Sequence, residues 1–255
     1  MRKSLLRGAV VVFVALLALA GTALALRLQA GNIVVVTDGG VRPTKLPKNR
    51  FAPIELRGYG KISTVDGTTP PVLKKITLFF DKHGEVETRG LPVCTPGKLA
   101  ATTTKTARRN CRGAIVGKGF GKALIDFPDQ PPFIASSPLT IFNGRKKNGN
   151  PTVLAHAYLG VPAPTTFIVP IEIQRVRKGR YGFKTVAKIP RIAGGSGVPI
   201  YGRLKIGRKW RFKGKKLSYA NASCPDGRLQ ARGRFDFDDG NRLQGTFLQR
   251  CRVRR

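Results

Sequence analysis

Residues 229–251, LQARGRFDFDDGNRLQGTFLQRC, carry the pattern that decides the fold. Before the central turn every second residue is apolar or small, namely Leu229, Ala231, Gly233, Phe235 and Phe237. The Asp-Gly pair within residues 238–241 supplies the positive φ that tight hairpin turns require. The alternation then resumes at Leu243, Gly245, Phe247 and Cys251. Because successive side chains of a strand point to opposite faces, this stretch predicts an antiparallel hairpin with one buried face.

The same two-residue period recurs in residues 54–62, 76–80, 171–174 and 183–189, and residues 81–84 have the composition of another turn. The chain contains 30 glycines and 18 prolines, which is typical of many short strands joined by turns. We therefore predict an all-β, mainly antiparallel fold, a loosely Ig-like β-sandwich that forms a single domain over residues 51–255. Two β subdomains split near residue 150 are the alternative, because each half holds one cysteine pair.

One short helix is predicted between Cys94 and Cys111. Thr95 can cap its N-terminus, and Pro96 suits the first helical position. Residues 99–109 contain no helix breaker, and the arginines at 108 and 109 favour the negative end of the helix dipole. Threonines 102–104 oppose the prediction, because β-branched residues are poor helix formers.

The first 25 residues have the layout of a bacterial signal peptide. Three basic residues precede a continuous apolar run over residues 8–20, and small residues at Ala23 and Ala25 suit a signal peptidase, so we expect cleavage after Ala25. The alternative is an uncleaved membrane-anchoring helix, because residues 8–26 approach the length of a membrane span. No later stretch is long and apolar enough to span. Residues 26–50 are predicted to form an edge strand, based on Ile33–Val36, and then an extended basic arm.

Four cysteines in a chain that is expected to be exported predict two disulfides. We favour Cys94–Cys111 and Cys224–Cys251 among the three pairings, because each pair is local. A zinc site is the weaker alternative, since the sequence has no C-x-x-C pattern.

The charge is extreme: 47 Lys and Arg against 13 Asp and Glu give a net charge of +34. Residues 1–25 carry three basic and no acidic residues, so their removal leaves +31. Such a chain favours any polyanion nearby, and outside a cell these are wall polymers, lipid headgroups, acidic polysaccharides and released DNA.

Motifs for catalysis or for cofactor binding are missing from the sequence, so we assign no catalytic residue, metal ligand or cofactor. His83 lies in a predicted turn and is interpreted as a solvent-exposed turn residue, and His156, among apolar residues, as a hydrogen-bonded, half-buried histidine. Asp236, Asp238 and Asp239 with Asn241 resemble a calcium loop but lack its distant glutamate, so a hairpin turn is the preferred interpretation. Glycines 117, 119 and 121 are interpreted as part of a strand rather than of a nucleotide loop.

Residues 205–216 are the strongest candidate for a binding site. They hold seven basic residues, no acidic residue and two aromatic ones, and cations beside aromatic faces can hold a polyanion. The predicted polyanion-binding residues are Lys205, Arg208, Lys209, Trp210, Arg211, Lys213, Lys215 and Lys216. The alternative is a strand on which Trp210 and Phe212 point inward. Further basic clusters occur at residues 145–147, 175–180 and 250–255.

Four segments of the chain are similar to segments of a known protein family: residues 90–94 (GLPVC), 111–117 (CRGAIVG), 161–167 (VPAPTTF) and 224–227 (CPDG). They resemble segments of a family of uncharacterised exported, β-rich, four-cysteine proteins from high-GC actinobacteria. The resemblance spans most of the chain after residue 25 and implies export, but no activity.

Together these features predict a secreted or envelope-associated, non-enzymatic protein that binds anionic cell-surface polymers through basic faces. An enzyme acting on such polymers and an extracellular nucleic-acid binder are the two alternatives. The sequence leaves the oligomeric state open.

Overall fold

The structure is a computed structural model that describes residues 25–254. The predicted signal peptide, and the uncleaved anchor that is its alternative, therefore lie outside the described residues except for Ala25. Strand accounts for 62% of the described residues and helix for 7%, which confirms the predicted all-β, mainly antiparallel class.

The strands of the first half are β1 (Leu26–Ala30), β2 (Ile33–Arg42), β3 (Lys45–Pro47), β4 (Ala52–Pro53), β5 (Glu55–Thr64), β6 (Leu73–Asp81), β7 (Gly84–Val86), β8 (Ile115–Ile125) and β9 (Phe133–Asn143). Those of the second half are β10 (Thr152–Leu159), β11 (Thr165–Lys178), β12 (Tyr181–Lys188), β13 (Gly197–Ile206), β14 (Lys209–Phe212), β15 (Lys215–Ser218), β16 (Ala220–Ala222), β17 (Arg228–Phe237), β18 (Arg242–Arg250) and β19 (Arg252–Arg254). Two short helices, α1 (Pro96–Leu99) and α2 (Thr104–Asn110), lie between β7 and β8.

Twelve strands form one antiparallel sheet in the order β1-β2-β5-β13-β8-β9-β10-β11-β12-β6-β17-β18. The sheet curls so that its first and last strands meet. One face of β1, β2 and β5 packs against the same face of β6, β17 and β18, which gives the two layers expected of a sandwich. The core between these layers contains Ile33, Val35, Ile62, Leu73, Phe235, Phe237 and Leu243.

The seam between β18 and the first two strands is closed by side chains. Leu26 and Leu28 occupy the space above Gly245, where an added Cβ would lie 2.3 Å and 2.9 Å from their Cδ2 atoms. Further along the seam, beyond the end of β1, the amide of Gln249 pairs with the backbone of Val41. Its Oε1 accepts from the Val41 N–H at 2.6 Å, and its Nε2 donates to the Val41 carbonyl at 2.9 Å. The side chain of Gln249 thus replaces a strand partner for β2.

The C-terminal hairpin has the predicted register. Phe235 pairs with Leu243 and Gly233 with Gly245, and Gly240 in the turn has a φ of 88°. The turn acids are used locally: Asp239 accepts from the backbone and side chain of Asn241, and Asp238 accepts from the Val72 N–H. These contacts support the interpretation of this segment as a hairpin turn.

Both predicted disulfides are confirmed, Cys94–Cys111 and Cys224–Cys251. The first encloses the predicted helix, which the structure divides into α1 and α2. Ala101 between them has a φ of 50°, and the Thr102 hydroxyl donates to the Leu99 carbonyl at 2.6 Å. The helices cover Phe142 and Leu154 on the outer face of β9 and β10.

Residues 26–50 differ in detail from the expected edge strand and arm. Gly31, with a φ of 54°, turns the chain so that Leu26–Ala30 forms the edge strand β1, while Ile33–Val36 belongs to the interior strand β2. The basic stretch after it contributes β3, which pairs in parallel with β19. β9 and β10, on either side of residue 150, pair directly in the large sheet.

Candidate functional site

The predicted basic run forms a hairpin of β14 and β15 whose aromatic rings face the protein. The Trp210 indole N–H donates to the Arg89 carbonyl at 3.0 Å, and the ring packs on a core cluster that includes Leu91. Phe212 lies over Gly90, where a Cβ would come within 2.1 Å of its ring. Both rings therefore hold the hairpin in place, and their inner faces are not open to a ligand.

The basic residues of the run divide into two roles. Arg208 is an anchor, because its Nη1 donates to the carbonyls of Ile115 at 2.8 Å and Arg112 at 3.3 Å. Arg211 pairs across the hairpin with Lys216, and Lys209 lies on the same outward face. Lys213 and Lys215, at the hairpin tip, are also exposed. The hairpin thus presents mainly charge, and its one partly open aromatic ring is that of Phe212, which is 36% exposed and has the Lys213 ammonium 5.7 Å from its centre.

The register of three neighbouring strands assembles a second and larger basic surface, which we call the cationic grid. β13 lies between β5 and β8, and the nine outward residues of these strands align in three rows. The first row is Arg57, Lys205 and Lys118; the second is Tyr59, Arg203 and Phe120; the third is Lys61, Tyr201 and Lys122. Of the predicted site residues, only Lys205 belongs to the grid.

Strand geometry fixes the spacing of the grid. Neighbouring strands lie about 4.8 Å apart, and alternate residues of one strand lie about 7 Å apart. Each of the six cations therefore has another cation within about 5–8 Å, which is comparable to the Debye length of about 8 Å at physiological salt, so neighbouring cations act jointly on an anion. All six are exposed.

The aromatic residues of the grid support its cations. The guanidinium of Arg203 lies over the Phe120 ring, 5.9 Å from the ring centre, which is within the limit of about 6 Å for cation–π attraction. Tyr59 flanks Arg203 on the other side and is 36% exposed. A guanidinium held flat on a ring keeps its N–H fork free for a carboxylate or phosphate.

Acidic side chains are scarce beside the grid. Glu55 accepts a 2.5 Å hydrogen bond from Arg57 Nε. Asp38 of β2 lies opposite Tyr59 and accepts from the Gly39 N–H. On the other flank, Arg108 of α2 donates to Thr140, the register partner of Lys118, and so adds another cation to that side.

A depression of about 330 Å³ ends the grid beyond its first row. Gly207 occupies the next position after β13, and a Cβ there would lie 3.1 Å from Glu55 Cα, so this position carries no side chain. Lys118, Lys205, Arg208 and Glu55 line the depression.

Basic side chains are concentrated towards one end of the strands, although carboxylates occur at both ends. The basic segments 145–147, 175–180 and 209–216 lie at the sheet end where β9 passes into β10, together with Arg228 and Arg250. Turns at the opposite end carry five carboxylates: Asp66, Asp126, Asp129, Asp238 and Asp239. The basic clusters therefore gather at one end rather than scatter.

The most enclosed group of charges is bound internally. Buried Asp81 accepts from Arg180 Nε at 2.7 Å and from the His83 and Gln230 backbone N–H groups, and His83 Nδ1 lies 2.8 Å from its Oδ1. Arg180 also binds Asp226, whose pKa the hydrogen bond from Arg180 lowers to about 2. His83 is half-buried rather than a fully exposed turn residue. Both oxygens of Asp81 are occupied, so this cluster ties β6, β12 and β17 together.

His156 is fully buried, and burial is the main cause that lowers its pKa. Its Nε2 lies 3.1 Å from the Thr102 carbonyl, which links β10 to the segment between the helices. Within residues 25–254, His, Cys, Asp and Glu side chains form no group of three or more that could hold a metal ion.

The sequence contained a signal for the grid. The pentapeptide pattern of a basic residue, glycine, an aromatic residue, glycine and lysine occurs twice, in residues 57–61 (RGYGK) and 118–122 (KGFGK). The two copies lie in register on either side of β13. Both segments were predicted as strands, and residues 54–62 with one solvent-exposed face, but the strand that lies between them was not predicted.

Comparison of the chain with known protein families, with curated proteins and with solved structures finds no match. In the part of the chain from Ala25 to Arg254, no helix is long and apolar enough to cross a membrane. Fold and surface together define the class: a disulfide-bonded, antiparallel β protein with a cationic grid on one outer face.

Proposed function

We propose that this protein binds an anionic polymer of the cell surface, without catalysis, through the cationic grid. The observation that carries the proposal is the register of the two pentapeptides around Arg203, which turns separate basic residues into an ordered array. An array whose cations recur in two directions suits a ligand whose charges also recur, that is, a polymer.

Export from the cell supports this proposal. The signal-peptide pattern predicts a mature chain that begins at Leu26, which is also the first residue of β1. Two disulfides are typical of proteins that fold in an oxidising compartment. Localisation in the envelope or outside the cell, and membership of the exported actinobacterial family, belong to the same hypothesis.

Nucleic acid is the less favoured ligand. Proteins that hold single strands stack bases on open aromatic faces. In the grid a face of Phe120 is covered by Arg203, and in the basic hairpin Trp210 and Phe212 face the protein. Trp210 thus packs on the protein and Phe120 supports a cation, whereas Tyr59 and Phe212, each 36% exposed, offer only partly open rings for stacking.

The test is a salt titration of binding to a fluorescently labelled acidic polysaccharide, polygalacturonate. The grid variant carries Lys118→Gln, Arg203→Gln and Lys205→Gln. The control variant carries Lys209→Gln, Arg211→Gln and Lys216→Gln, and loses the same number of exposed charges from the hairpin. Each ligand charge that a protein cation neutralises contributes about 0.7 to the slope of log K against log salt for single-stranded nucleic acid, and with this coefficient the grid variant should lose about 2 units of slope.

At low salt we expect the grid variant to bind about 10- to 100-fold more weakly, from three exposed contacts of about 0.5–1 kcal/mol each. The control variant should change several-fold less. Failure of the native protein to bind at low salt, or binding that is insensitive to salt, would refute the proposal. A larger loss in the control variant would move the site to the hairpin.

A further inference from the structure

The depression at the end of the grid differs chemically from the grid itself. Along the rows the outward groups are cations and aromatic rings, whereas the depression adds a carboxylate, Glu55, to the cations Lys118, Lys205 and Arg208. Its volume of about 330 Å³ lies at the lower end of the range of ligand pockets, which suits one unit of a polymer.

The backbone builds this recess. Gly207 leaves the central position empty, and a Cβ placed there would lie 3.1 Å from both Glu55 Cα and the Ile54 carbonyl, so a larger residue would require this backbone to shift by a few tenths of an ångström. Arg208 forms a fixed wall, since one nitrogen of its guanidinium is held by the carbonyls of Ile115 and Arg112.

Glu55 keeps one oxygen available. Its Oε1 is held by Arg57 Nε at 2.5 Å, and its Oε2 has no hydrogen-bond partner among residues 25–254. An ionised carboxylate only accepts hydrogen bonds and repels anions. Beside three cations, it therefore favours a ligand that carries hydroxyl donors next to its negative charge.

We propose that the depression is a recognition subsite for a hydroxylated acidic sugar unit, in which the cations bind the anionic group and Glu55 accepts a hydroxyl hydrogen bond. This inference rests on the proposed function and narrows its ligand to an acidic polysaccharide. Glu55 repels an anionic polymer that has no hydroxyl groups and gains no hydrogen bond from it. Such repulsion lowers the affinity for that polymer relative to an acidic polysaccharide.

The experiment compares polygalacturonate with linear inorganic polyphosphate of matched charge, with oligodeoxythymidylate as a third probe. Glu55→Ala should weaken polygalacturonate binding by a net factor of at least about two, because losing a hydrogen bond to a charged group costs about 10- to 100-fold and removing the negative charge restores only about two- to fivefold. The same change should strengthen polyphosphate binding by about two- to fivefold, because a nearby negative charge is removed. The expected result is thus a response of opposite sign.

Two variants serve as controls. Asp129→Asn removes one exposed negative charge beyond the far end of β8 and should shift binding of both polymers little and in the same direction. Arg57→Gln removes the ion-pair partner of Glu55, and the opposite-sign response to Glu55→Ala should persist in that background.

The outcomes separate the two proposals. If native protein binds none of the three probes at low salt, both proposals fail. If the grid variant loses binding but Glu55→Ala shifts polygalacturonate and polyphosphate equally, the subsite alone is refuted. Tighter binding of oligodeoxythymidylate than of polygalacturonate at equal charge would also overturn it.

Discussion

Replacement of Gln249 by leucine should weaken the whole fold, because this one side chain closes part of the seam of the sheet. β1 ends opposite Thr37, so the Val41 N–H and carbonyl on the same edge of β2 have Gln249 as their partner, at 2.6 and 2.9 Å. Val41 is only 8% exposed, so water is a poor substitute. Two hydrogen bonds lost, with their backbone partners left in a poorly hydrated place, cost about 2–4 kcal/mol.

The assay is urea unfolding of the oxidised protein. With a slope of about 2–3 kcal/mol per M for a chain of this size, the midpoint should fall by about 1 M. Gln244→Leu, on the same strand but exposed, is the matched control and should change stability by less than about 0.5 kcal/mol. Equal midpoints for the two variants would show that the Gln249 amide does not act as a strand partner.

Two further predictions concern other parts of the structure. Gly245→Ala places a methyl group against Leu26 and should cost about 1–3 kcal/mol, whereas Gly202→Ala, with nothing within 4 Å, should cost clearly less; equal midpoints in urea would contradict the packing at the seam. Asp226 has a folded pKa of about 2 against an ordinary 3.8, so its stabilising effect is present above pH 4 and is lost as the pH falls towards 2. Asp226→Asn should therefore flatten the dependence of stability on pH between 4 and 2, and an unchanged slope would contradict the Arg180 contact.

Local patterns were sufficient for much of the fold. The hairpin of β17 and β18 follows from alternation and an Asp-Gly turn within 23 residues, and each disulfide joins cysteines that are close in sequence. The sequence predicted one helix between Cys94 and Cys111 and did not predict its division into α1 and α2. The threonines had weakened the prediction, and the Thr102 hydroxyl indeed bonds to the Leu99 carbonyl where the helix ends.

The candidate site required long-range information. Arg57, Lys118 and Lys205 come from strands that are far apart in sequence, and only the insertion of β13 between β5 and β8 places them in one row. The contiguous basic run was visible in the sequence, but its aromatic residues are used for packing. The alternation of residues along a strand predicts which of its faces is exposed to solvent. The order of the strands in the sheet decides which exposed faces lie side by side.

The excess of basic side chains at one end of the strands gives the molecule an electric dipole along them. Near a negatively charged layer, the field exerts a torque that turns the basic end towards the layer and the turns with Asp66, Asp129 and Asp239 away from it. Encounters therefore begin in one preferred orientation, and the molecule arrives with its strands upright before any specific contact forms.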